Sequence, residues 1–173
     1  MLNITIPHVE SFPVVPKCTA AQSNIFAAHM IALQYACSLS APTFALFERD
    51  IGTVHRELEN LPYPKNWCVI NVCPTNSAEP TVPIRPAVSP YDFGAVAVVY
   101  RKSCVCTHLR QLWKQFTNKC EPFDSIVYRL PHSYRTGVMW IEHVYKPSSH
   151  SDGWAHRQGK TFVAAARRYW QHT

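Results

Sequence analysis

Cys104, Cys106 and His108 stand within five positions of one another, and thiolates and imidazoles are the side chains that bind zinc. Cys68, Cys73 and Cys120 could add ligands to such a cluster. A structural zinc site takes four ligands converging on a tetrahedron, and in sequence it shows as two close Cys/His pairs. Here no second pair answers the first, because no CxxC occurs anywhere in the chain. His132, His143, His150, His156 and His172 crowd the C-terminal stretch at spacings that fit no zinc finger, and they read as hydrogen-bonding or RNA-contacting residues. A Gly-rich phosphate loop, a GxSxG elbow and an HExxH helix are all missing, and the eleven acids form no catalytic pair. The expectation is a protein that is not an enzyme and holds no metal or cofactor. Seven cysteines, an odd number without framework spacing or a preceding apolar signal core, point to a reducing compartment with the thiols acting as small buried hydrophobes.

Charge supplies the stronger chemical signal. Residues 1–100 hold five Lys/Arg against seven acids, whereas residues 101–173 hold twelve against four. A basic half of this kind displaces counterions from a polyanion, although exposed cations also serve solubility alone. Aromatic residues interleave with the cations: Tyr134 with Arg135, Trp154 near Arg157, and Tyr169 and Trp170 after Arg167 and Arg168. Rings stack on bases while cations hold phosphate.

The elements that must position these groups are only partly periodic. At 173 residues and 47% hydrophobic content the chain suits one domain with extensions. No window approaches the ~20 apolar residues that cross a bilayer, so no membrane span is expected. Residues 1–25 form a Pro-punctuated N-terminal extension with one alternating run, Leu2 to Ile6. They lack the Arg-rich, acid-poor character of a mitochondrial presequence, and a short or already removed one stays open. Residues 25–37 are apolar apart from His29 and Gln34, and periodicity does not choose between helix and strand. Pro42 to Asp50, with Ser40 as N-cap and Phe44, Phe47 and Ile51 at helical spacing, predicts a short helix. Gly52 to Leu61 predicts a strand by alternation. Residues 65–92, with five Pro and little period after Val72, predict an extended insertion. Ala95 to Tyr100 is a charge-free, β-branched strand. After it Val105, Leu109, Leu112, Trp113 and Phe116 share one helical face, Pro122 stops that helix, and Ser125 to Leu130 predicts a closing strand. Residues 132–173 form a basic C-terminal extension with a final helix around 160–170.

Two segments carry a resemblance. Gly52-Thr-Val-His-Arg-Glu-Leu-Glu-Asn-Leu-Pro-Tyr63 resembles the second strand of the small-subunit ribosomal protein S-six family, through Gly52, Val54, Arg56, Leu58, Glu59, Asn60, Leu61 and Tyr63. The strand–helix–strand of Phe93 to Pro131 is similar to that family's second half, through Leu112, Phe116, Phe123, Asp124, Ile126, Val127 and Arg129. The resemblance covers roughly 26–131. It implies a ferredoxin-like α+β fold, a split βαβ with two helices on one face of a four-stranded antiparallel sheet. The Pro-rich stretch replaces the family's tight second hairpin, and both ends are longer, which suits a mitochondrial ribosome and hence the matrix.

What the resemblance implies is a structural constituent of the small subunit. Such a protein scaffolds platform rRNA beside a ribosomal protein S-eighteen-like partner and neighbouring ribosomal proteins, with no small-molecule substrate. The expected RNA contacts are Arg101, Lys102, Arg129, Arg135, Arg167 and Arg168, and the expected partner interface is His55, Arg56, Glu59 and Tyr63. Two other readings stay open, an accessory subunit of another organellar complex and a free RNA-binding protein of ferredoxin-like fold. Against an RRM, Ala95 to Tyr100 shows no aromatic RNP signature.

Overall fold

The charge-free run Ala95 to Tyr100, which supplies all but the last residue of the strand Ala97–Arg101, lies in the middle of a sheet because both of its faces are buried. Val98 and Tyr100 join one core cluster and Ala97 and Val99 the other, the period-2 division that a strand between two layers requires. The computed structural model describes residues 1–143 except Asp50, residues 75–77, Pro90 and Phe93. Its strands are β1 (Leu2–Thr5), β2 (Thr43–Phe47), β3 (Ile51–Val54), β4 (Val69–Asn71), β5 (Ile84–Pro86), β6 (Ala97–Arg101), β7 (Ser133–Thr136) and β8 (Ile141–His143). Its helices are α1 (Ala20–Ser38), α2 (Lys102–Val105), α3 (Leu109–Lys119) and α4 (Phe123–Val127), with single 3-10 turns at Leu58–Asn60 and Cys106–His108.

Six strands make a mixed sheet in the order β1-β2-β6-β4-β7-β5, and β3 pairs with β8 in a separate two-stranded sheet. β1 lies parallel to β2 and β4 parallel to β7, while the β2–β6, β4–β6 and β5–β7 pairs are antiparallel. This overturns the expected four-stranded antiparallel ferredoxin-like sheet. Segments read from the sequence as extensions or as an insertion supply strands of the sheet: β1 from the N-terminal extension, β4 and β5 from the Pro-rich insertion, and β7 from the C-terminal extension.

Two local readings reverse, each for a physical reason. Thr43–Phe47 is a strand, not a helix, because Phe44 and Leu46 bury against the helical layer while Ala45 and Phe47 bury on the opposite face. That alternation outranks the three-residue spacing of the two phenylalanines. Conversely, Phe123, Ile126, Val127 and Leu130 are buried together at the i, i+3, i+4, i+7 spacing of a helix, and the chain from 123 is helical rather than a closing strand. The expected strand over 52–61 shortens to β3 followed by the turn at Leu58–Asn60.

The apolar segment left open between helix and strand is α1. Thr19 and Gln22 form a reciprocal capping box at its start, and the 19-residue helix carries no charged side chain. It packs with α3 and α4 on one face of the sheet, where Phe26 stacks on Phe116 at 4.0 Å between ring centroids. Removing one such ring from a packed core costs about 3–5 kcal/mol. The 3-10 turn and the β3–β8 pair cover the other face through Leu58, Leu61, Trp140 and Ile141.

Six cysteines are paired: Cys18–Cys120, Cys37–Cys106 and Cys68–Cys104, and Cys73 is buried outside these bridges. The expectation of reduced thiols fails for those six. The bonds pin α1 at both ends, Cys18 to the C-cap of α3 and Cys37 to the turn preceding it.

Candidate functional site

The start of β4, the end of β6 and the segment after β6 meet at one edge of the sheet. Arg101 ends β6 in register with Thr43 of β2, and its amide N–H donates to the Cys68 carbonyl at 2.9 Å. Lys102 follows at the first position of α2, and its amide donates to the Pro42 carbonyl at 3.0 Å. Its Nζ donates to the Leu39 carbonyl, which draws the ammonium across the end of α1. Lys65 reaches the same edge from a turn. Asn66 adopts the left-handed conformation at φ 62°, which Asn tolerates better than most residues, and the Trp67 N–H closes on the Pro64 carbonyl at 3.4 Å. Lys65 is thereby left exposed.

These three cations line a cleft of about 910 Å³ together with Ser40, Thr43, Asn66, Trp67, Ser103 and Thr107. No carboxylate lines it, and Lys65 and Arg101 have no carboxylate partner among the described residues. Two of the disulfides, Cys37–Cys106 and Cys68–Cys104, fasten the segment that carries Lys102, Ser103 and Thr107. Cys104 and Cys106, the start of the hypothetical zinc cluster, are thus spent as bridges. Among the described residues no group of three or more His, Cys, Asp or Glu could hold a metal.

A second cleft of about 560 Å³ adjoins the first and shares Pro42, Thr43 and Trp67 with it. Tyr63 and Trp67 stand in its wall with ring centroids 4.9 Å apart. The Tyr63 hydroxyl donates to the Leu58 carbonyl at 2.9 Å. Burial first, and the nearby Glu59 carboxylate second, push its pKa up to about 12.

The remaining expected RNA contacts are scattered. Arg135 lies inside the protein with its guanidinium 1% exposed, donating to Asp92 Oδ1 at 3.0 Å, so it has no surface to offer a phosphate. Arg129 is engaged with Glu121. Arg167 and Arg168 lie outside the described residues. Of the expected partner interface, His55 and Arg56 are exposed beside β8, with the Arg56 guanidinium 5.4 Å above the Trp140 ring. Glu59 and Tyr63 line the second cleft instead. Tyr63 and Glu59 thus stand on a cleft that adjoins the one lined by Arg101 and Lys102.

A third cavity of about 440 Å³ contains His29, 3% exposed, with Nε2 3.2 Å from Glu48 Oε1. Its ring stacks on Phe123 at 4.2 Å. A His–carboxylate pair can serve a nucleophile, but no Ser, Thr or Cys among the described residues lines this cavity. No helix among the described residues is long and apolar enough to cross a membrane.

No family model, curated protein or solved structure matches the chain.

Sequence reading missed Lys65, Asn66 and Trp67 as site residues. Their signal was present as Pro64-Lys65-Asn66-Trp67, a turn sequence with Asn where a positive φ is needed. The Pro-rich composition downstream concealed it.

Proposed function

We propose that this protein is a non-catalytic RNA-binding protein that grips phosphates in the Lys65–Arg101–Lys102 cleft. The observation that carries this reading is the cleft itself: three cations and several hydroxyls converge on a concave surface with no acid in its wall. Cations so placed gain affinity by releasing counterions from the strand. Ser103 adds a neutral donor of the kind that fixes a backbone's register, whereas the Thr107 hydroxyl is already donated to the Cys104 carbonyl at 2.6 Å.

Three long-range disulfides favour an oxidising compartment, where such bonds persist, over the matrix location expected from the S-six resemblance. From the ribosomal reading the proposal keeps the RNA partner. It leaves out the S-eighteen-like pairing, because the ferredoxin-like sheet that would present it is not the sheet this chain forms.

Salt titration of binding to a fluorescent single-stranded RNA tests the reading. Each phosphate contact on a single strand contributes roughly −0.7 to the slope of log affinity against log salt. Replacing Lys65, Arg101 and Lys102 by Ala in the full chain should flatten that slope by about 2 and weaken binding at low salt. An unchanged slope and affinity in the triple variant would remove the cleft from the RNA interface.

A further inference from the structure

The cationic cleft does not end at Trp67. Its aromatic neighbour shares Pro42, Thr43 and Trp67 with it, so the two make one groove with chemically unlike halves. One half holds Lys65, Arg101 and Lys102, whereas the other is built from Leu2, Ala41, Tyr63 and Trp67 with Glu59 at its rim. Among the described residues Glu59 is the one carboxylate lining either half, and it is offset by the Met1 amino group of the same cleft, 3.6 Å from Glu59 Oε1. A phosphate is therefore drawn to the first half, with its three cations and no carboxylate, in preference to the second, where one amino group and one carboxylate balance. The aromatic half therefore suits a planar, uncharged group joined to that phosphate, and rings of this kind gain by stacking on aromatic side chains.

We infer that the groove seats one nucleotide unit of the strand, its phosphate among Lys65, Arg101 and Lys102 and its base against Tyr63 and Trp67. This rests on the RNA-binding reading and sharpens it, from phosphate attraction to recognition of a nucleobase. Discrimination comes from shape and polarity. The Tyr63 hydroxyl is already committed to the Leu58 carbonyl, so its ring, not its O–H, is what the base meets. Any of the four bases has such a face, so the seat accepts different sequences. A phosphorylated sugar without a base fills only the cationic half.

Competition against a bound fluorescent single-stranded RNA, with the full oxidised chain, separates these possibilities. The competitors are adenosine 5′-monophosphate, ribose 5-phosphate and a short oligoadenylate. Adenosine monophosphate should compete about tenfold or more better than ribose 5-phosphate, the order of effect expected for one stacked base. The oligoadenylate should compete better still, since the unit belongs to a strand. Tyr63→Ala should erase the advantage of the base while leaving ribose 5-phosphate unchanged, and Tyr63→Phe should keep it. Equal competition by the two monophosphates in the unaltered protein would overturn the base seat while leaving the phosphate cleft standing. Failure of all three competitors, or of the RNA to bind at all, would overturn both. Because the decisive comparison uses the unaltered chain, a Tyr63→Ala protein that fails to fold does not block the test.

Discussion

Residues 102–108, made of α2 and a 3-10 turn, and residues 78–92, which carry the outer strand β5, both belong to the layer around the sheet's core strands, yet the first segment is fastened covalently and the second by ion pairs. Cys104 and Cys106 tie the first to Cys68 and Cys37, at Cα separations of 5.4 and 5.8 Å. In the second, Arg85 forks between Glu79 and Asp92, with its guanidinium nitrogens 2.8–3.1 Å from their carboxylate oxygens. Asp92 also accepts from the buried Arg135 of β7 at 3.0 Å. The backbone completes the attachment, as the Glu79 N–H donates to the Gly137 carbonyl at 2.6 Å. A Cβ at Gly137 would sit 1.8 Å from the Val82 carbonyl oxygen, so only glycine lets the loop lie this close.

The difference teaches how each region should fail. A covalent bridge ignores pH and salt and yields to reductants, whereas an ion-pair network ignores reductants and yields to loss of charge. The candidate RNA groove belongs to the covalent region. Lysines and arginines gathered without carboxylates repel one another, and disulfides supply the restraint that ion pairs cannot give there without neutralising the site.

Reduction is the largest way to break this contrast. Each native disulfide contributes on the order of 2–5 kcal/mol, and these close loops of 102, 69 and 36 residues. A dithiol reductant should lower the thermal midpoint by ten degrees or more at about 2–4 °C per kcal/mol, read by circular dichroism. Hydrogen exchange should show residues 102–108 opening before the 78–92 loop. Equal opening of both would deny the division.

Asp92→Asn comes next. It leaves the Arg135 guanidinium, 1% exposed, without its carboxylate, and a buried charge stripped of its partner costs about 3–5 kcal/mol. Urea unfolding should show the loss equally in oxidised and partly reduced protein. A variant as stable as the parent would mean that Arg135 finds sufficient compensation elsewhere.

Acid gives the smallest effect. The hydrogen bond from Arg85, followed by Arg85 and Arg135 charge, holds the Glu79 carboxyl below its ordinary value of 4.5. A carboxyl lowered on folding contributes stability that is present above its unfolded pKa and is lost as pH falls through the folded value. Lowering the pH below about 4.5 should therefore loosen residues 78–89 selectively, seen as faster proteolysis by an acid protease, with 102–108 unaffected. Loosening of the disulfide-held segment at the same pH would contradict the contrast.

Where sequence reading succeeded, one local signal was strong enough by itself. Ala95 to Tyr100 and the apolar face from Val105 to Phe116 needed no partner to be recognised as strand and helix. Val69–Asn71 shows the opposite case. It sits between β6 and β7 in the sheet, yet it is three residues long and is followed by prolines that read as an excursion. Its assignment follows from its neighbours, because only pairing on both sides satisfies those backbone groups. The same holds for the ferredoxin-like expectation. It joined two segments, 52–63 and 93–131, that resembled parts of one sheet, and the chain places β3 in a separate sheet and a helix at 123–127.

The candidate site divides likewise. Arg101 and Lys102 were legible because they are cations that end a recognisable strand, and Tyr63 because of its local motif. Lys65 and Trp67 were not, since nothing in their neighbourhood says that a turn 36 residues before Arg101 returns to its side.

By itself, the sequence determined the basic balance, the buried strand at 97–101, the amphipathic helix after it and the lack of any familiar catalytic motif. Only the tertiary structure decided which cysteines pair, which arginine is buried and which cations share a cleft. The physical reason is distance along the chain. Six cysteines admit fifteen pairings, and a buried arginine looks in sequence like an exposed one until the fold brings Asp92 to it across 43 residues.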